Sequence, residues 1–453
     1  MRNRSGWCGV KALSGVVRMS DRRVGTAQRL IAGAAIAVLV AACGTGDPGS
    51  APADAVELRA AGVEREAPLA DAPVDATIEG VTAFGYDLYR VSADPASNTV
   101  VSPVSIAYAF AMARAGARGE TADQIDDVLY LPTDGVHAAF NAITRELVTA
   151  AGPPTPASPR ATRTPGESTP PVLSIANGLF VQESARLQEE FLRILASQYG
   201  AGARAVDFIS PEATEIINAW VRDQTADRIK KLFDQLDPAT KVVLANAVYF
   251  KADWALPFAE HPTTTEPFTR ADGSTVRAPM MHLQGDLRYA TGDSWQAVEL
   301  PYADSNLAMW VLVPTGQTPP GELLAPDTFT DVATRLGPGR VDLSMPRWDF
   351  ATNLDLIPPL QELGMNVPFG AGADFSGMLP GVWIGQAVHR ANITVDEWGT
   401  EAAAVTGLAF VVSGPPPPDV TIRADHPFAF AIVDTQTGAP LFIGHVADPT
   451  DGA

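Results

Sequence analysis

Residues Val242–Phe250, VVLANAVYF, form a nearly continuous apolar run broken only by Asn246. Such a run reads as a strand buried on both faces. The surrounding pattern supplies layers to cover it. Val81, Phe84, Leu88 and Val91 recur at helical spacing, and Asp94–Asn98 stops that helix. Ser102-Pro103 opens a second helix through Ile106, Phe110 and Met112, ending near Gly116–Gly119. Further helices are expected over Glu189–Tyr199, Ala213–Thr225 and Leu354–Leu363, the last capped by Gly364. Strands are expected at Val172–Val181, Ala297–Leu300, Ala308–Val313 and Val341–Met345. A closing hairpin joins Phe428–Val433 to Leu441–Val446 through Asp434–Pro440. Helices concentrate early and strands late, without a βαβ rhythm, which predicts the α+β class with large antiparallel or mixed sheets.

The 453 residues allow one large domain or two to three smaller ones, and 46% apolar content can bury a substantial core. The start has a different character. Arg22, Arg23 and Arg29 precede an apolar run, Leu30–Ala42, that is short for a membrane span and shaped like the core of a signal peptide. It ends Val40-Ala41-Ala42-Cys43-Gly44, which resembles a bacterial lipobox. That resemblance implies a signal peptide over 1–42, initiated at Met1 or Met19, with Cys43 as the lipidated first residue of the mature protein. A plain secretory signal or an uncleaved anchor is the alternative. Cys8 lies ahead of the apolar run, so the mature domain is left without a disulfide.

Residues 43–76, rich in Ala, Pro, Gly and Asp, read as a flexible tether, and the folded domain is expected over 77–453. A Pro/Thr-rich block at 150–171 interrupts ordered patterns on both sides and reads as a surface insert. The formal charge of -20 argues against nucleic-acid or polyanion binding.

Asp396–Pro418, DEWGTEAAAVTGLAFVVSGPPPP, is locally undecided. Its even-numbered positions from Thr400 to Val412 are uncharged and increasingly apolar, as in a strand with one buried face. Yet Gly399, Gly407, Gly414 and the four prolines weaken that strand. An ordinary strand leading into a Pro-rich loop is the plainer interpretation. Catalytic motifs are scarce. No two of the six histidines stand at helical ligand spacing, and no H-E-x-x-H, C-x-x-C, G-x-S-x-G, P-loop or G-x-G-x-x-G occurs. His389, among Val388, Ala391 and Ile393, suits a hydrogen-bonded core histidine, and Trp254 suits packing at a sheet end. Nothing calls for a cofactor or metal, and an enzyme is not expected, although a dispersed Ser/His/Asp triad leaves no local signature.

Seven segments, in order, resemble the serpin family. They are Asn98–Ile106 (N-x-x-x-S-P-x-S-I), Gly116–Thr121 (G-A-x-G-x-T), Asn246–Lys251 with Trp254 (N-A-x-Y-F-K-x-x-W), Val298–Tyr302, Asp374–Met378, Glu397–Ala404 (E-x-G-T-E-A-A-A) and Asp425–Phe428. Ala429 departs from the family, which usually places a larger apolar residue there. The resemblance implies one domain with three β-sheets, about eight or nine helices and an exposed reactive-centre loop, here 397–418. A serine protease attacks that loop and forms an acyl-enzyme; the cut loop then inserts as a central strand of the largest sheet and distorts the tethered protease.

By this resemblance Glu397, Gly399, Thr400, Glu401, Ala402, Ala403 and Ala404 form the hinge, where small uncharged inward positions favour an inhibitor. Ser102, Ser105, Asn246 and His389 fall where the sheet must part, and Trp254 at the top of the gap. Counting from either end puts the residue before the scissile bond at Ser413 or Gly414, with Val412 also in range. All three are small, which implies an elastase- or subtilisin-like target. No Arg or Lys occurs between Glu397 and Pro418, which disfavours trypsin-like proteases. The expected partners are a serine protease and, through Cys43, a membrane, with the chain a monomer outside the cytoplasm. The alternative is a non-inhibitory serpin acting as a binding or carrier module.

Overall fold

The computed structural model describes residues 55–148, 154, 170–237, 240–258, 263–400 and 417–451. The signal segment, Cys43, most of the 150–171 insert and loop residues 401–416 lie outside them. Eight α-helices occur among the described residues: α1 (Val74–Ser92), α2 (Pro103–Arg114), α3 (Gly119–Val128), α4 (Val136–Leu147), α5 (Glu189–Ile194), α6 (Ala213–Gln224), α7 (Pro326–Arg335) and α8 (Ile357–Glu362). A π-helical turn, Leu195–Tyr199, continues α5.

One sheet takes β1 (Val56–Leu58), β3 (Val172–Gln182), β4 (Ala203–Val206), β5 (Val242–Asp253), β11 (Trp348–Asp355), β12 (Gln386–Asp396) and β13 (Gly399–Thr400). Their order is β1-β4-β3-β5-β13-β12-β11. The other takes β2 (Thr99–Val101), β6 (Thr264–Thr269), β7 (Thr275–Thr291), β8 (Trp295–Pro301), β9 (Leu307–Pro314), β10 (Gly337–Pro346), β14 (Val420–Arg423), β15 (Phe428–Asp434) and β16 (Pro440–Val446). It runs β14-β10-β7-β8-β9-β15-β16-β2, with β6 on β7. The second and third expected sheets are therefore joined. The 17-residue β7 pairs β6 over Thr275–Met280, β10 over Met280–Tyr289 and β8 over Arg288–Thr291, so one sheet runs through it.

β5 sits at the centre of its sheet and is buried along nearly its whole length. One face packs on α2, a helix whose residues from Pro103 to Ala113 are all buried. Its first turn begins at Pro103, where a proline costs no helical hydrogen bond. α6 and the segment to Leu236 cover the other face, with Ile217, Val221 and Leu232 against Val243, Ala245 and Ala247.

Two expectations are corrected. The tether does not extend to residue 76. Val56–Leu58 pairs with Ala203–Ala205 at the sheet edge. The Arg65 guanidinium donates to Asn141 Oδ1 at 2.8 Å and Thr144 Oγ1 at 2.6 Å, and Glu66 N–H to the Ser197 carbonyl at 2.7 Å. A three-residue edge strand and isolated polar anchors need no apolar periodicity, so the Ala/Pro-rich composition hid them. The helix expected from Leu354 begins at Ile357, because Leu354 pairs with His389 as part of β11.

Candidate functional site

β5 and β12 run parallel and pair directly only at Val243–Val248 with Gln386–Ala391. Above that, β12 turns back at Asp396–Gly399, and the two-residue β13 lies between the strands. Thr400 pairs with Val395 on one side and Ala252 on the other. The junction is held by two sets of side chains, one across the closed part and one at its top.

Across the closed part, Asn177, Asn246 and His389 stand in register on β3, β5 and β12. All three reach towards the start of α2. The Ser102 N–H donates to His389 Nε2 at 3.2 Å. Nε2 is thus the unprotonated nitrogen, and Nδ1–H donates to Asn246 Oδ1. The Asn246 amide donates in turn to the Ser105 carbonyl at 2.9 Å, with Ser105 Oγ and Asn177 Oδ1 also in range. His389 is fully buried, and burial pushes its pKa down to about 3, so the imidazole is neutral. The network joins the two strands side chain to side chain; Ser102, Ser105, Asn246 and His389 are buried and Asn177 half-buried, so a lost partner leaves a polar group without water to replace it.

At the top, the Trp254 indole stacks on Tyr302 with centroids 4.6 Å apart and donates from Nε1 to the Asp396 carbonyl at 3.0 Å. The main chain of the turn is clamped as well. Trp254 N–H donates to the Trp398 carbonyl at 2.7 Å and Phe258 N–H to the Glu397 carbonyl at 2.8 Å. The Glu397 carboxylate pairs with Arg347 at 2.9 Å and accepts from the Thr263 hydroxyl. Gly399 fits because it lacks a side chain: a Cβ there would collide with the Ala252 carbonyl. Thr400 is 2% exposed, and its hydroxyl meets the Tyr302 hydroxyl at 2.7 Å. Burial, opposed only by the Thr400 contact, raises the Tyr302 pKa far enough to keep the phenol protonated.

The structure therefore brings together Ser102, Ser105, Asn246 and His389 in one network, and Trp254, Glu397, Gly399 and Thr400 at one end of the same gap. Glu401, Ala402, Ala403, Ala404, Val412, Ser413 and Gly414 lie outside the described residues. Asn177, Tyr302, Arg347 and Thr263 were not singled out by sequence. Asn177, an amide between Ala176 and Gly178 in the middle of a mostly apolar strand, carried a legible signal. Tyr302 fell inside the Val298–Tyr302 segment without a role of its own, and Arg347 and Thr263 act through partners far away in the chain and left none. Among the described residues no group of three or more His, Cys, Asp or Glu could hold a metal ion.

A family model described as Serpin (serine protease inhibitor) matches residues 79–449. An uncharacterized serpin-like protein of Thermococcus kodakarensis is 36% identical over 385 residues, covering 83% of this chain and 86% of the relative. The leukocyte elastase inhibitor of Sus scrofa is 32% identical, covering 81% of this chain and 98% of its own. Among solved structures, the native thermophilic serpin tengpin superposes with a TM-score of 0.77 at 25% identity, covering 87% of this chain and 100% of that chain. Thyroxine-binding globulin in complex with thyroxine gives 0.71 at 27%, covering 83% of this chain and 100% of that chain. A family match that spans both sheets and the junction between β5 and β12 makes the chain a member of the serpins.

Proposed function

We propose that this serpin inhibits a serine endopeptidase as a suicide substrate. The observation that carries the proposal is the hinge: Gly399 and Thr400 already occupy the line between β5 and β12 that a cut loop must fill. The protease serine Oγ attacks the carbonyl carbon of Val412, Ser413 or Gly414, forming an ester and releasing the amine of the next residue. The freed segment then continues the strand that β13 begins. From Thr400 to Ser413 it reaches about 43 Å at strand rise. Each inserted residue adds main-chain bonds, and the covalently held protease is carried with the strand and deformed before water can cleave the ester. Small side chains beside that bond suit an elastase- or subtilisin-like pocket.

The chain acts as a monomer, exported by its signal segment and held by lipid on Cys43 at the outer side of a membrane. Loss of membrane association in Cys43→Ser would support this anchor, and unchanged partitioning would refute it. The thyroxine-binding relative supports a second reading, a carrier without inhibition. The two part on one experiment. Incubation with an elastase- or subtilisin-type protease gives an SDS-stable complex if the protein inhibits. Cleavage of the loop without any complex leaves the carrier.

A further inference from the structure

The hinge residue Thr400 has one side-chain hydrogen-bond partner on the described body, the phenol of Tyr302. Tyr302 lies far from the gap in sequence, just past the end of β8. It is brought there by the isolated bridge between Trp254 and Tyr302 and by its own N–H donating to the Leu307 carbonyl at 2.9 Å. Trp254 stacks on one face of its ring, while Phe250 meets it edge-on at 5.1 Å. The ring is thus fixed from two sides, and its hydroxyl is left to choose what stands at the mouth of the sheet.

We infer that Tyr302 is a positioning residue that seats the hinge before cleavage and sets the register in which the loop enters. This rests on the inhibitory reading above and adds a role for a residue outside the loop. The physical basis is the period of two along a strand: a slip of one residue turns every side chain to the opposite face. With Thr400 bound to Tyr302, Thr400 faces the core. Ala402, Ala404 and Thr406 must then follow it inward, while Glu401 goes to the other face. The main-chain clamps at Trp398 and Glu397 end before Gly399, so beyond the turn only the two-residue β13 ladder and the Thr400–Tyr302 contact orient the entering strand, and the contact is the one side-chain element of that pair.

Removing one hydroxyl strands the other in a buried site, whereas removing both leaves an apolar pair. Tyr302→Phe and Thr400→Val should therefore each weaken the seat, and the double variant should restore it. In the intact protein, amide exchange at Gly399–Thr400 should speed up about tenfold in either single variant and return towards the parent rate in the double variant. In the presence of protease, the moles of serpin consumed per mole of protease blocked should rise several-fold in the singles and fall back in the double. A generally loosened core would not be repaired by Thr400→Val. Unchanged exchange in both singles, or a double variant no better than the worse single, overturns the inference. Restored exchange without any complex from the parent protein would instead retain the seat and refute the inhibitory reading.

Discussion

Thr400→Arg puts a charge where the hinge enters the sheet. Thr400 is 2% exposed and packs beside Tyr302, which stacks on Trp254 and meets Phe250 edge-on. The acidic residues that flank β13 on the neighbouring strands, Asp253 and Asp396, both pair with Gly399. By strand alternation their side chains belong to the face opposite that of Thr400. A guanidinium at 400 would therefore be buried without an opposite charge, at a cost of about 3–5 kcal/mol. The lost Thr400–Tyr302 bond adds about 1 kcal/mol. Together these exceed what two residues of ladder return, so the hinge leaves the sheet by a factor of at least about a hundred. The scissile region is untouched. The expected outcome on denaturing gels is a loop cut at the parent rate with no covalent complex, and no gain in thermal stability after cutting. A variant that still traps protease would refute the argument that Thr400 is buried on insertion.

Three further outcomes follow from the junction. His389 keeps a pKa of about 3 against an ordinary 6.5, so between those values the unfolded chain binds a proton that the folded chain refuses. Its stabilising effect is complete above pH 6.5 and is lost as pH falls towards 3, at up to about 1.4 kcal/mol per pH unit. His137 and His445, both held near 4 mainly by burial, act in the same direction. Thermal melts should be flat from pH 8 to 7 and fall below 6.5, with a shallower fall in His389→Gln; a rising midpoint on acidification would contradict this. Asn246→Ala leaves the buried His389 Nδ1–H without its acceptor and should cost about 1–3 kcal/mol in urea unfolding, where a loss under about 0.5 would be too small for the network described. Gly399→Ala cannot hold its place beside the Ala252 carbonyl, so hinge exchange should quicken and inhibition become less efficient; unaltered hinge protection would dispute that close approach.

What was legible in the sequence followed from how local each signal was. β5 declared itself through an unbroken apolar run, and α1 through Val81, Phe84 and Leu88, all buried in one core. β7 escaped because Pro279 and Gly285 break any alternation; Pro279 nevertheless pairs with Thr265, and Gly285 with Val341. The α8 boundary was misjudged because Leu354 fits a helical pattern as well as the strand it occupies. Ala429, where the family usually places a larger apolar residue, is fully buried between β9 and β16. The gap residues were legible only as family motifs. Their chemistry is distributed over β3, β5, β12 and α2, and no window of sequence contains the Asn177–Asn246–His389 row. Tyr302 was visible as part of a motif, but its bond to Thr400 spans 98 residues and is a property of the fold alone.

The claim on which all of this depends is that the cut loop becomes a strand between β5 and β12. Comparing the melting temperature of the intact protein with that of the protein cut once within 401–416 tests it most directly. Insertion predicts a marked rise after the cut, because the sheet gains a ladder on each side of the new strand. An unchanged or lower midpoint would mean that the loop stays outside the sheet, and would contradict the account.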